Sequence, residues 1–297
     1  MVSQATTESQ TPQEYAAPST IEEALRSIAD GDATILAGGT DLMLQTKPGG
    51  RLPYRRKLVN IRRIAGLRGV GEKDGRISIG ALVTITDIAN NELLKTAAPV
   101  LPQTADCFAS GQIRNMGTVG GNICNASPAG DMIVPLLVLD AEVELSAWAK
   151  GAVATRLVPL SKFFTGPGRT VKQPNELLTR IVFARPDKKY SVGYIKSGPR
   201  PALEISTVSA ALSAIRDNDK LSSVRIALGA VGPTVLRAVK AEAYLEGKTV
   251  NAQVVAETAR LAAEDASPID DVRATAWYRR HLIQVYVKRL LENDSQG

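Results

Sequence analysis

The sequence predicts two consecutive α+β units, and three observations carry that prediction. A short apolar run, Thr34-Ile35-Leu36-Ala37, follows an amphipathic helix and opens into a glycine loop. Beyond Arg185-Pro186 the chain reads as strands and then helices, the order of an α+β unit rather than an alternating βαβ chain. A length of 297 residues, set against about 150 per domain, accommodates two cores.

Taken in order, Met1 to Ala17 is polar, lacks an apolar core and reads as a loose tail (residues 1–17). Ser19 and Glu22 fit a capping box, and Ile21, Ala24, Leu25 and Ile28 recur at helical spacing before Gly31. Lys57 to Ile61 and Arg76 to Ile79 are strand candidates. Pro99 to Phe108 suits a helix, Met132 to Leu139 an apolar helix with Asp131 as its cap, and Val143 and Leu145 a half-buried strand. Phe163 to Thr170 reads as a loop and Leu177 to Phe183 as a strand. These elements form a first domain over residues 18–185, with subdomains of about 18–65 and 66–185. In residues 186–297, Tyr190 to Lys196, Thr207 to Arg216 and Ser223 to Leu228 read as strands, the last two joined through Asp217-Asn218-Asp219. Leu236 to Leu245, Ala252 to Ala263 and Thr275 to Leu291 read as helices.

Composition excludes several chemistries. One histidine, His281, and two cysteines, Cys107 and Cys124, cannot supply an iron–sulfur cluster and leave little for a zinc site. No metal site is therefore expected, and no catalytic side chain stands out. Redox or group-transfer work would fall to a bound organic cofactor. The longest apolar stretch, Met132 to Leu139, falls far short of the about 20 residues a membrane span needs. Two isolated cysteines suit a reducing, cytoplasmic setting. A net charge of +6 is spread over short clusters such as Arg51, Arg55, Arg56 and Lys57, and Arg185, Lys188 and Lys189. No nucleic-acid motif accompanies them, so they read as solvated surface or a face for a protein partner.

The informative features are two paired-glycine segments, Ala37-Gly38-Gly39-Thr40-Asp41-Leu42 and Thr118-Val119-Gly120-Gly121-Asn122-Ile123. Paired glycines permit positive φ and leave room for several backbone N–H groups to face one hollow, which suits a diphosphate. Neither segment has the G-x-G-x-x-G spacing of a Rossmann turn. Nor is there a P-loop, since Gly247-Lys248-Thr249 has Glu242 where the first glycine belongs. Read alone, Phe108 also fits ordinary core, Asp131 a helix cap and Lys196 a solvated strand end. Likewise Cys124 fits a small packed residue and Asp41 a brace of its own loop.

Leu36-Ala37-Gly38-Gly39-Thr40-Asp41-Leu42-Met43, with Thr118 through Asp131, resembles the FAD-binding medium subunit of molybdenum hydroxylases, the xanthine dehydrogenase and carbon monoxide dehydrogenase family. The resemblance spans nearly the whole chain after the tail. It implies a two-subdomain FAD-binding fold of the vanillyl-alcohol-oxidase-like kind, followed by an α+β domain of antiparallel sheet and helices.

Carried over by position, the resemblance implies that Ile35, Leu36, Ala37, Gly38, Gly39, Thr40, Asp41, Leu42 and Met43 wrap the FAD diphosphate. Thr118, Val119, Gly120, Gly121 and Asn122 form the opposing wall. Phe108 matches an aromatic flavin-site position, with Ala109 beside it. Asp131 matches a cofactor-contacting aspartate, Leu177 or Leu178 an apolar contact, and Lys196 a lysine close to the flavin. Arg200 and Glu204 fall in a loop flanking the ring, where Leu203 replaces an acidic residue of the xanthine-type enzymes. Further implications are noncovalent FAD, a large molybdopterin subunit and a small [2Fe-2S] subunit as partners, and a dimer of heterotrimers. Two rival readings are a stand-alone flavin reductase resembling UDP-N-acetylenolpyruvoylglucosamine reductase, and a noncatalytic basic binding module.

Overall fold

A computed structural model describes residues 12–46, 55–187, 189–198, 204–218 and 220–293. The expectations for residues 1–11, Arg51, Lys188, Arg200, Leu203 and Asp219 lie outside these residues.

The chain opens with β1 (Glu14–Ala16), α1 (Ile21–Ser27), β2 (Ala33–Leu36), α2 (Leu42–Gln45) and β3 (Lys57–Asn60). The strands form a sheet in the order β1-β3-β2 with both pairings parallel. Residues 14–16, expected within the loose tail, are therefore a strand. The free edge of β3 offers unpaired backbone groups, and residues 14–16 take them up. The capping box lies one residue later than the sequence reading placed it. Thr20 Oγ1 accepts from the Glu23 amide at 3.1 Å and Glu23 reaches back to the Thr20 amide, because Thr20-x-x-Glu23 satisfies the same pattern. Arg56 pairs with Glu14, Asp30 and Asp32, and Lys57 with Glu14 and Asp30, so these two charges are neutralised in place.

β4 (Val70–Lys73) and β5 (Arg76–Gly80) lead into six short helices: α3 (Ile85–Asn90), α4 (Glu92–Ala97), α5 (Val100–Asp106), α6 (Gly111–Met116), α7 (Val119–Asn125) and α8 (Ile133–Val138). Strands β6 (Glu142–Ala149), β7 (Ala152–Pro159), β8 (Phe164–Gly166), β9 (Arg169–Thr170) and β10 (Glu176–Ala184) follow. The main sheet has the order β4-β5-β10-β6-β7, all antiparallel. The segment expected as a loop over Phe163 to Thr170 contains the small β8–β9 hairpin. Ile77, Ile79, Leu145, Leu178, Ile181 and Phe183 from this sheet pack against Leu101, Ile123, Met132 and Leu136 from the helices. Truncating a buried Phe of this kind costs about 3–5 kcal/mol. A smaller core under α1 joins Leu25 and Ile28 to Val59, Leu82 and Leu177. Every residue of α8 is buried, so it has no polar face, and Pro135 sits in its first turn, where the missing N–H has no intrahelical acceptor.

The second unit contains β11 (Tyr190–Ser197), β12 (Val208–Asp217), β13 (Lys220–Gly229), β14 (Leu236–Arg237), α9 (Val239–Leu245), α10 (Ala252–Asp265) and α11 (Ala276–Asn293). Its sheet runs β11-β12-β13-β14, antiparallel throughout. The helix expected from Leu236 starts at Val239, because Leu236 and Arg237 pair with β13 instead. Strand β12 is buried on both faces. Val208, Ala210, Leu212 and Ala214 face the core shared with α9, α10 and α11, while Ala211 joins the core of the first unit. Small residues alternate there because α8 packs closely on the sheet, and Ser213 Oγ donates to the Val138 carbonyl at 2.9 Å. The two units therefore share one continuous seam along α8.

Candidate cofactor site

The two glycine segments meet. Chain leaving β2 turns through Gly39 at φ +78°, a left-handed conformation that glycine adopts at little cost. Gly38 lies directly against the backbone ahead of α7: a Cβ there would come to 2.0 Å from the Met116 carbonyl oxygen. The second segment is fixed from behind by β5 and its continuation. Val119 donates to the Val83 carbonyl and Gly120 to that of Ala81, each at 3.0 Å. A Cβ on Gly120 would meet Ala81 Cβ at 2.7 Å. Gln45 Nε2 ties the segments side to side, donating to Asn125 Oδ1 at 3.2 Å and to Asp41 Oδ2.

The two segments contribute differently: of their four glycines, only Gly39 takes the positive φ that paired glycines permit. Gly120 and Gly121 lie in the first turn of α7 with helical backbone. Their amides are spent, Gly120 on Ala81 and Gly121 on Thr118 Oγ1 at 3.1 Å, while the Asn122 amide donates to the Thr118 carbonyl. These glycines serve close packing rather than unusual φ. In the first segment, by contrast, the amides of Gly38, Gly39 and Thr40 find no acceptor among the described residues. The second segment does present one unspent group. Asn122 Oδ1 is buried and has no hydrogen-bond partner among the described residues. Three donors from one wall and one orphaned acceptor from the other suit a ligand carrying both anionic oxygens and hydroxyls.

β10 lies between the walls. Leu177 shares a core with Ile35 and Ala37 of the first segment, and Leu178 with Val119 and Ile123 of the second. Leu36 and Leu42 are half-buried, whereas Met43 is 52% exposed.

The remaining expected residues gather where α5 meets β11. Phe108 is half-buried against the main core, at the end of α5. Ala109 follows at φ +35°, and Arg114 holds this turn by donating to the carbonyls of Phe108 at 2.9 Å and Asp106 at 3.2 Å. Asp131 does not cap α8; Met132 flanks that helix and no side chain bonds its first turn. Its carboxylate instead turns toward the second unit. There it accepts from Lys196 Nζ at 2.5 Å, Ser206 Oγ at 2.5 Å and Tyr194 OH at 3.3 Å. Burial pushes the Tyr194 phenol well up, and the Asp131 carboxylate pushes it further, so it remains a donor. Burial also pushes the Cys124 thiol up, in keeping with a packed rather than reactive cysteine. Glu204 is half-buried, and a Cβ on Gly198 would meet Glu204 Cβ at 2.6 Å, so the chain on either side of residues 199–203 comes together here.

Gln45, Arg114, Tyr194 and Ser206 escaped the sequence reading. Tyr194 was within reach of it, since it shares a strand face with Lys196 by the two-residue period. Ser206 carries no sequence signal. No group of three or more His, Cys, Asp or Glu suited to a metal occurs among the described residues. No helix among them is long and apolar enough to cross a membrane.

Comparison with known proteins gives matches along almost the whole chain. Residues 8–186 match the family described as the FAD binding domain in molybdopterin dehydrogenase, and residues 193–293 the CO dehydrogenase flavoprotein C-terminal domain. The xanthine dehydrogenase FAD-binding subunit of Escherichia coli O157:H7 is 33% identical over 281 residues, spanning 93% of this chain and 94% of that one. The carbon monoxide dehydrogenase medium chain of Hydrogenophaga pseudoflava is 30% identical over 280 residues, spanning 94% and 95%. In structure, the chain is similar to carbon monoxide dehydrogenase from Hydrogenophaga pseudoflava lacking the Mo-pyranopterin moiety, with a TM-score of 0.89 at 30% identity over 95% and 96% of the two chains. It is also similar to quinoline 2-oxidoreductase from Pseudomonas putida 86, with a TM-score of 0.87 at 27% identity over 98% and 99%.

Proposed function

Because the chain belongs to the family of FAD-binding medium subunits of xanthine and carbon monoxide dehydrogenase-type enzymes, we propose that it is the electron-relay subunit of a molybdenum hydroxylase. Electrons arrive from [2Fe-2S] clusters of a small partner subunit, pass through FAD held here, and leave to an external acceptor. A large partner carries the molybdopterin site where substrate is oxidised, and the enzyme assembles as a dimer of heterotrimers. Cys107 and Cys124 are both free thiols, which supports a cytoplasmic setting.

When bound, FAD supplies redox chemistry that no side chain of this protein provides. The chain's own work is to hold and bias it. The amides of Gly38, Gly39 and Thr40 donate to the diphosphate, and Asn122 Oδ1 accepts from a hydroxyl of the cofactor. Ile35, Ala37, Leu177 and Leu178 line the apolar ground between the two walls. Phe108 and Ala109 border the ring. Lys196, held by its ion pair with Asp131, would stand beside the ring and bias the charge that the cofactor takes up on reduction.

The observation that carries this reading is that two segments meeting at the Gly38–Met116 contact carry, one a run of unspent amides and the other an orphaned, buried acceptor. Its test is purification of the tagged chain with its partners. The yellow colour should copurify with the complex, and acid precipitation should release it as free FAD. Flavin retained in the acid pellet contradicts noncovalent binding. Turnover by the isolated chain with NADPH contradicts the relay role.

A further inference from the structure

Asp131 and Lys196 come from different units of the fold and meet at the seam along α8. The contact is an ion pair of 2.5 Å between side chains that are 9% and 11% exposed. Ser206 and Tyr194 hold the carboxylate from a second side, so its orientation is fixed by three donors rather than one. Two opposite charges so close look from outside like a dipole, and their combined field on any neighbour is far smaller than that of either charge alone. Removing one partner would leave the other as an uncompensated charge in a poorly hydrated place.

Resting on the reading that FAD binds with its flavin at this end of the site, we propose that Asp131 is a positioning residue. It acts on the flavin through Lys196, as the counter-charge that sets how much of the ammonium's field the ring feels. Three of the carboxylate's acceptor positions are taken by this chain's own donors, so its main work is done on Lys196 rather than on the cofactor. The pair fixes the flavin potential at a value neither charge alone would give.

The test is a spectroelectrochemical titration of the FAD-loaded full chain in four forms: wild type, Asp131→Asn, Lys196→Met and the double variant. Asp131→Asn bares the ammonium, stabilises the reduced flavin and raises the midpoint potential. Lys196→Met bares the carboxylate and lowers it. Each shift should be at least about tenfold in the oxidised-to-reduced ratio at fixed potential, which is about 30 mV for a two-electron couple. The double variant should return close to wild type. A purely structural role predicts weaker FAD retention without opposite shifts. Singles that move the potential in the same direction, or leave it unmoved, overturn the proposal. If Asp131→Asn does not retain FAD, Lys196→Met is compared with the double variant. A lower potential in the single supports the pairing, and equal potentials overturn it. Wild-type chain that takes up no FAD at all contradicts the underlying reading instead, so the two failures are separable.

Discussion

Gly38 and the Met116 carbonyl touch so closely that one added methyl group would come to 2.0 Å from the oxygen. This contact joins two segments far apart in sequence, and it faces backbone rather than a side chain that could swing aside. Gly38→Ala should therefore push the walls apart, at an overpacking cost of about 1–3 kcal/mol. Equilibrium titration with FAD should show affinity weaker by about five- to hundredfold. Gly111→Ala, at a helical glycine with open space around it, should leave the affinity unchanged.

Asn122 gives a sharper signature because two effects have opposite signs. Its Oδ1 has no partner among the described residues, and a buried acceptor left so costs about 1–3 kcal/mol. Asn122→Ala should hold or raise the melting temperature of the apoprotein. The same change should weaken FAD binding by about tenfold, the loss of one hydrogen bond. Equal losses in both measurements would mean that Asn122 is only a packing residue.

Glu176 ties the start of β10 to the neighbouring strands. Arg156 Nε and Nη2 donate to its two oxygens at 2.6 and 2.9 Å, and the Gln173 amide donates at 2.7 Å. Burial alone would raise this carboxyl, but those donors outweigh it and hold it below the usual value. A lowered folded-state value means stabilisation that is complete above the unfolded carboxylate range and lost as pH falls through the folded value. Glu176→Gln should cost about 1–3 kcal/mol at neutral pH. The gap in melting temperature between wild type and variant should close progressively below about pH 4, where the unfolded carboxyl titrates.

Arg279, on α11, is 4% exposed and donates to the carbonyls of Thr207 and Ala230, each at 2.7 Å, as well as to Asp271. Ala230 in turn donates to the Pro128 carbonyl at 2.7 Å, within the second motif. The last helix thus braces the segment that carries Asp131. Arg279→Met should destabilise the fold by about 1–3 kcal/mol, measured by denaturant titration. Because Thr207 adjoins Ser206, FAD retention should fall in the same variant. Full retention would separate this brace from the cofactor site.

The sequence was most legible where local chemistry and tertiary need coincide. The two glycine segments, the apolar helix ahead of β6 and the strands-then-helices order of the second unit all appear where periodicity and turn residues put them. Other features depend on partners far along the chain. Gly120 and Gly121 advertise positive φ, yet their value lies in how closely Ala81 and Thr118 approach, and no local pattern encodes that distance. Asp131 precedes an apolar helix and has the composition of a cap, but Lys196 and Ser206 reach it from the second unit. Glu14–Ala16 look like tail because their reason to be a strand is the open edge of β3.

In the proposed site, Gly38, Gly39 and Thr40 on one side and Asn122 on the other close around the middle of a dinucleotide. The most direct test is equilibrium FAD binding to the purified chain, followed by desalting and a thermal melt. Wild type should keep its visible flavin absorbance and melt at a higher temperature with FAD than without, and Gly38→Ala should lose both. Colourless wild-type protein whose melting temperature ignores saturating FAD would contradict the account.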